Sequence, residues 1–545
     1  MERTSINKFI SKLKDWVKAN KKEFLILLFI LLLGAFLRLY KISDYMTFLG
    51  DEGRDAIVVR RLLVNFDPIL IGPRTSIGDM YLGPLYYYLI APSLLLANFS
   101  PVGPSVFVAL IGVATIFMVW YVTRDWFGES KKNGVSVAAF TASFLYAISP
   151  VVIDYSRSSW NPNVMPFFSF LVIYSLWKVW VEEKYRWLIV SAISFAFVLQ
   201  SHYLGLLLMP VILIIMILVI MKVRDLIFSL GKFRFIKNSS SAKESKDPGR
   251  LRINILFGIL LFIFLMSPLF IFDLRHGWNN YSSMKRFFTE RQTTVSARPW
   301  TAIPKAHLIF QNTVTRIVAG KDTLYGKYLT YLFDAATIFI LYKLIRFRLK
   351  TRENKALFLI FLWLGFAILG LGLYKQTIYD HYFGFFYPGL FILLGYIIQN
   401  LYQKTNQNWK ILAVSVILMT SVIDLINTPI RFSPNYQMQR AQSVADFILK
   451  ESGNKKLNLA VIAQQNYEDG YQYFLEKMSV PVLDIDPLKL NETVADQLFV
   501  VCEMQEEKCD PTHSPKSEVA NFGWSKIENK WEVKGVIVYK LIHTK

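Results

Sequence analysis

The chain carries about eleven apolar runs, each near the ~20 residues an α-helix needs to cross the hydrocarbon core of a bilayer. A bilayer core has no water for backbone amides and carbonyls, so such runs restrict the chain to a bundle of membrane helices. The runs cover 24–40, 103–122, 135–150, 162–181, 187–200, 204–221, 253–272, 328–345, 356–374, 383–401 and 411–426. Residues 85–97 are shorter and rich in Pro and Tyr, and read as a re-entrant or interfacial helix. With 53% hydrophobic and only 19% charged residues, a soluble enzyme, a disordered chain and a disulfide scaffold are excluded.

The net charge of +21 does not indicate nucleic acid. Residues 431–545 hold 14 basic and 16 acidic side chains, so the whole excess lies in the membrane region. If 85–97 does not cross, the basic connectors 124–132, 184–186, 222–252, 343–355 and 404–410 share the side of the N-terminus, as the positive-inside bias requires. The basic stretch through Lys8, Lys12, Lys14, Lys18, Lys21 and Lys22 precedes a long apolar run without a small-residue cleavage site, which predicts a retained first helix. The expected organisation is a cytoplasmic 1–23, a multi-span domain over 24–428 and an extracytoplasmic α/β domain over 429–545 in a plasma (inner) membrane. Within 24–428, loops 41–102 and 273–327 are external, and the Ser-rich connector 222–252 is cytoplasmic. In the last domain we expect helices at 441–451 and 466–477 and strands at 457–463, 497–502 and 535–541. Cys502 and Cys509 pair if the compartment is oxidising.

Polar residues concentrate on the outer face. After the first run comes Gly50-Asp51-Glu52-Gly53-Arg54-Asp55, with Arg60 and Arg61 beyond it. On a helix Asp51 and Asp55 share a face while Glu52 is rotated by about 100°, so one carboxylate is expected to do chemistry and the other to cap the helix or orient a basic partner. A plain N-cap role for Asp51 is the structural alternative. The same loop continues through Arg74 and Asp79 to Leu82-Gly83-Pro84-Leu85-Tyr86-Tyr87-Tyr88, a composition suited to a cavity wall. A second outer turn holds Asp154, Arg157, Trp160, Asn161 and Asn163: a guanidinium for phosphate, an indole face and amides for a sugar. Belt anchoring at the interface is the plainer reading of its aromatics. His202, Tyr203, Lys375 and His381 lie on further outer turns. The sequons at Asn98, Asn238, Asn280 and Asn491 and the Asp484-Ile485-Asp486 triplet are read as chance matches.

The acidic pair after the first helix and the Pro-Leu-Tyr-Tyr segment resemble the glycosyltransferase C superfamily, specifically the bacterial relatives of protein O-mannosyltransferases and of the lipid A aminoarabinose transferase. The resemblance implies a polyprenyl-phosphate sugar donor, an extracytoplasmic acceptor (protein, lipid or glycan) and inverting transfer with Asp51 as base and Glu52 beside it. It departs from the family where a second external Asp is expected, for which Asp154 and Asn161 are the nearest options. The Trp-Trp-Asp-Tyr-Gly signature of oligosaccharyltransferases is absent. The phosphate leaving group needs positive charge rather than an acid, and Arg54, Arg60, Arg61, Arg74, Arg157, Lys375 and His381 are the available donors. Asp55, Tyr87, Trp160, Asn161, Asn163, His202 and Tyr203 are the candidates for holding sugar or acceptor. A divalent metal on Asp51 or Glu52 stays open. Two rival readings share these features: a lipid-linked saccharide transporter, and a surface-polysaccharide ligase or polymerase, favoured by Arg275, Arg286, Arg291 and Arg298 in loop 273–327.

Overall fold

A computed structural model describes residues 11, 14–75, 80–128, 135–232, 248–290 and 294–544. Lys8, Lys12, Asp79, Asn238, Arg291 and connector residues 233–247 lie outside the described residues. The chain is a polytopic α-helical membrane protein with a small C-terminal α/β domain. Its first helices are α1 (Lys21–Leu39), α2 (Gly50–Asn65), α3 (Leu85–Leu96), α4 (Val102–Phe127), α5 (Val137–Ile148), α6 (Met165–Trp180), α7 (Trp187–Ser201) and α8 (Met209–Lys232). After them come α9 (Pro248–Arg275), α10 (Ile303–Ile317), α11 (Thr323–Phe347), α12 (Arg352–Gly372), α13 (Tyr387–Tyr402) and α14 (Gln407–Ile426). By length and composition, seven helical stretches among the described residues can cross a membrane.

Several expected spans are shorter or broken. The run at 135–150 ends as α5 at Ile148, because Pro150 cannot continue its hydrogen bonding, and a new helix, Pro150–Tyr155, leaves at a different angle. Three 3-10 turns, Asn161–Val164, Tyr203–Leu208 and Asp380–Phe386, precede α6, α8 and α13. Helix α3, at 12 residues, is about 18 Å long and packs between α2 and α4.

The C-terminal domain comprises α15 (Gln437–Ser452), α16 (Asp469–Lys477) and a sheet of β1 (Asn458–Ile462), β2 (Gln497–Cys502), β3 (Ser525–Val533) and β4 (Val536–His543) in the order β1-β2-β4-β3. Strands β1 and β2 are parallel and the other pairs antiparallel. Both faces of β1 and β2 are covered, which is why their sequences are continuously apolar. Strand β3 was not expected: it is an edge strand whose Lys, Glu and Asn hide its alternation. Cys502 and Cys509 are joined in a disulfide.

One hydrophobic core joins this domain to the first loop. Met46, Phe48, Ala56 and Ile57 are buried together with Val444, Leu459, Val461, Tyr473 and Phe474. Phe48 lies 5.6 Å from Phe474 and 6.2 Å from Tyr473, ring centre to ring centre. Shared burial of this kind holds the domain at one place over α2.

Candidate active site

Helix α2 begins where Leu49 is extended and Gly50 enters the first turn. Glu52 Oε2 accepts the Leu49 N–H at 3.0 Å, so Glu52 is the capping carboxylate, and its side chain is buried. Asp51 is not the cap: its side chain is 41% exposed, against 1% for Asp55. The glycines around the pair permit the close approach of α16. A Cβ on Gly53 would stand 2.3 Å from Gly470 N, and one on Gly50 would meet the Tyr467 ring at 2.5 Å.

Arg54 ties the acidic residues together. Its Nη1 bonds Asp51 Oδ1 and its Nη2 bonds Asp55 Oδ1, both at 2.7 Å. The same Nη1 donates to Tyr467 Oη at 3.1 Å, and the Tyr467 hydroxyl donates to Asp51 Oδ1. Asn466 Oδ1 accepts the Gly50 N–H at 2.9 Å, pinning the loop before α16 to the start of α2. Asp51 faces a cavity of about 270 Å³ whose walls include Asp154, Tyr155, Trp160, Asn163, Gln465 and Tyr467. Replacing Tyr467 by Phe removes a hydrogen bond to a carboxylate while keeping the ring on Gly50. We expect at least a tenfold loss of activity with an unchanged melting profile, and wild-type rates would show the hydroxyl to be idle.

Burial pushes the Glu52 carboxyl up to about 7, against the opposing Leu49 N–H, and burial pushes Asp55 up to about 6 against the opposing Arg54 charge. The folded state therefore keeps the Glu52 proton to about pH 7, while an unfolded glutamate releases it near 4.5. Stability falls as pH rises through that window. In Glu52→Gln, whose amide oxygen still accepts the Leu49 N–H, the melting temperature should decline less than that of the wild type between about pH 5 and about pH 8. Parallel declines would refute a buried, protonated Glu52.

Several expected ligands are engaged elsewhere. Arg157 donates to Leu37 O at 2.6 Å and Tyr40 O at 2.7 Å, capping the carbonyls at the end of α1 rather than facing the cavity of Asp51. Asn161 is likewise engaged in the fold: it is buried, and its Nδ2 donates to Ser201 O at 2.6 Å. Of the two options for the second Asp, only Asp154 lines the cavity of Asp51. Arg61 pairs with Glu476 at 2.6 Å and so braces α16, while Arg60 stands near Tyr473 and Lys477; both lie about 14 Å along α2 from Asp51. Tyr87 stands beside Asp55 and Arg54. Asn163 donates to Ser158 O at 2.9 Å and still borders the cavity.

Trp160 packs on His381 at 4.6 Å between ring centres, and His381 on Tyr382 at 4.6 Å and His202 at 6.0 Å. Behind this aromatic group lies a second cavity of about 430 Å³, walled by His202, Tyr203, Leu204, Leu207, Leu373 and Tyr382 among others. The Tyr203 hydroxyl donates to Tyr81 O at 2.5 Å. Arg74 and Lys375 adjoin the wall residues Thr75 and Tyr374.

Tyr467, Asn466 and Gln465 carried no signal in the sequence, because they lie more than 400 residues from Asp51, and the first two were assigned to a helix that starts only at Asp469. Arg316 was also missed; it bonds Asp380, with Nη2 at 2.8 Å from Oδ2. Among the described residues no group of three His, Cys, Asp or Glu is arranged to hold a metal ion. The charged partner of Asp51 is Arg54, which also pairs with Asp55.

The model of the dolichyl-phosphate-mannose-protein mannosyltransferase family matches residues 82–233. The structure of ArnT from Cupriavidus metallidurans in the apo state aligns with a TM-score of 0.55 at 13% identity, covering 97% of this chain and 98% of ArnT. ArnT bound to undecaprenyl phosphate gives 0.55 at 13%, covering 95% and 97%. The archaeal oligosaccharyltransferase AglB from Archaeoglobus fulgidus, in complex with an inhibitory peptide and a dolichol-phosphate, gives 0.54 at 13%, covering 90% and 70%. No curated protein matches by sequence. In fold the chain is similar to ArnT and AglB, and its residues 82–233 match the model of the dolichyl-phosphate-mannose-protein mannosyltransferase family.

Proposed function

We propose that this protein is a membrane glycosyltransferase that moves a single sugar, with inversion, from a polyprenyl-phosphate donor to an extracytoplasmic acceptor. The observation that carries the reading is the pairing of two cavities: a polar one open to Asp51 and an apolar one behind Trp160 and His381. An apolar cavity whose wall residues Thr75 and Tyr374 are next in sequence to Arg74 and Lys375 suits the first isoprene units and phosphate of such a donor, in line with the lipid phosphates bound by ArnT and AglB. The sugar then reaches past Trp160 toward Asp51. An acceptor hydroxyl attacks the anomeric carbon, Asp51 takes its proton, and the carbon–oxygen bond to phosphate breaks with the electron pair leaving on the phosphate. Arg54 and Tyr467 hold Asp51 in place, and Asp154 faces it across the cavity. On this reading the acidic pair and the C-terminal domain stand on the extracytoplasmic side and the N-terminus is cytoplasmic.

The test is transfer of labelled sugar from a panel of polyprenyl-phosphate monosaccharides to extracted envelope acceptors by the purified protein. Turnover of at least one donor is expected. Binding of donors without transfer to any acceptor would favour a transporter.

A further inference from the structure

A second polar cavity, of about 420 Å³, opens in the C-terminal domain beside the one at Asp51. It lies where β1 and β2 end: Gln464 and Gln465 follow β1, and Met504 and Gln505 follow β2. The crevice beyond the carboxyl ends of adjacent parallel strands is where open α/β sheets take their ligands. Three features make this a built site. The Cys502–Cys509 disulfide closes the wall carrying Glu503, Gln505 and Lys508. Glu503 is held by Asn466 at 2.7 Å and by the Tyr471 hydroxyl at 2.5 Å. Gln437 is fixed by accepting the Phe48 N–H at 3.0 Å. Leu49 and Gln465 line both cavities, so the two are neighbours across a single residue layer.

We propose that this cavity is the acceptor subsite and that the acceptor is a saccharide. Its walls carry the carboxamides of Gln464, Gln465 and Gln505, each offering a donor and an acceptor, the pairing that vicinal hydroxyls need, and the amide group of Gln437, whose oxygen holds the Phe48 N–H. A peptide laid along a sheet would use an open strand edge, whereas this cavity stands at strand ends. A lipid acceptor would need an apolar groove, and the apolar cavity lies on the far side of Trp160. A glycan seated here directs its terminal hydroxyl past Leu49 toward Asp51. The proposal rests on the reading of Asp51 as the transfer base.

The experiment uses the full-length protein in detergent, with methyl glycosides and disaccharides of glucose, galactose, mannose and N-acetylglucosamine as probes. Saccharide binding is followed by ligand-observed NMR on Asp51→Asn, with and without Gln464→Ala and Gln505→Ala, both exposed positions outside the catalytic group. We expect at least one probe to bind and the double substitution to weaken it roughly tenfold or more, as for two lost hydrogen bonds. In turnover, the same pair of substitutions should raise the acceptor KM by a similar factor and leave the donor KM unchanged. Binding that depends on Gln464 and Gln505 upholds the subsite even if no polyprenyl donor is turned over, a result that would sink only the transferase reading. Transfer with an unchanged acceptor KM in the double variant, or binding of serine- and threonine-containing peptides in place of saccharides, overturns the proposal and leaves the transferase standing.

Discussion

Asp51→Asn is expected to lower sugar transfer by about a hundredfold or more, the scale of a missing general base. The substitution isolates proton transfer from architecture. The asparagine oxygen still accepts from Tyr467 and Arg54, so the docking of α16 and the shape of the cavity persist, while the ability to take a proton is gone. The loss should fall on kcat, with donor KM within about twofold of wild type, because on the proposed reading the lipid and phosphate occupy the other cavity. Purified wild type and variant, assayed side by side with the same labelled donor, decide it. Equal rates would move the base to Asp154 or Glu52, the other carboxylates on the cavity wall, and Asp154→Asn or Glu52→Gln would then show the loss instead.

Gly53→Ala is expected to undock the C-terminal domain. On an isolated helix, alanine in place of glycine stabilises by about 1 kcal/mol. Here the added carbon would meet Gly470 N, Asp469 C and Asp469 O at 2.3 to 2.5 Å, all of them backbone atoms that cannot rotate away. Overpacking of this kind typically costs 1–3 kcal/mol, and the cheapest relief is movement of α16 off α2. That movement also strips Tyr467 from Asp51, Asn466 from Gly50 and Glu476 from Arg61. We expect at least a tenfold loss of transfer together with faster proteolysis in the 427–436 linker. Gly365→Ala, which adds a carbon with nothing within 4 Å, serves as the control and should leave both unchanged. Wild-type activity and wild-type proteolysis in Gly53→Ala would show that the contact between α2 and α16 does not organise the site.

The two predictions separate what one sequence discloses from what it cannot. The membrane bundle was legible because burial in lipid demands long apolar runs, a requirement that each segment meets locally. Asp51 was legible because a cluster of carboxylates and guanidinia after the first span has no membrane role. The division of labour within the pair was half visible: helical periodicity turned Asp51 and Glu52 to different sides, but only the extended Leu49, whose N–H lacks a helix partner, made Glu52 the cap. Arg157 and Asn161 misled because the side chains that suit phosphate and sugar also suit the carbonyls at helix ends, and nothing local tells an open cavity from a buried cap. The close packing that Gly50 and Gly53 allow is against α16 and the loop before it, more than 400 residues further on. Hydrophobic periodicity, charge asymmetry and turn chemistry are properties of neighbouring residues, and they determined that the chain is a multi-span membrane protein. The closeness of Tyr467 to Asp51, and of the amide-lined cavity to both, arises from a hydrophobic core shared between the first loop and the last domain, and only the folded chain could decide that.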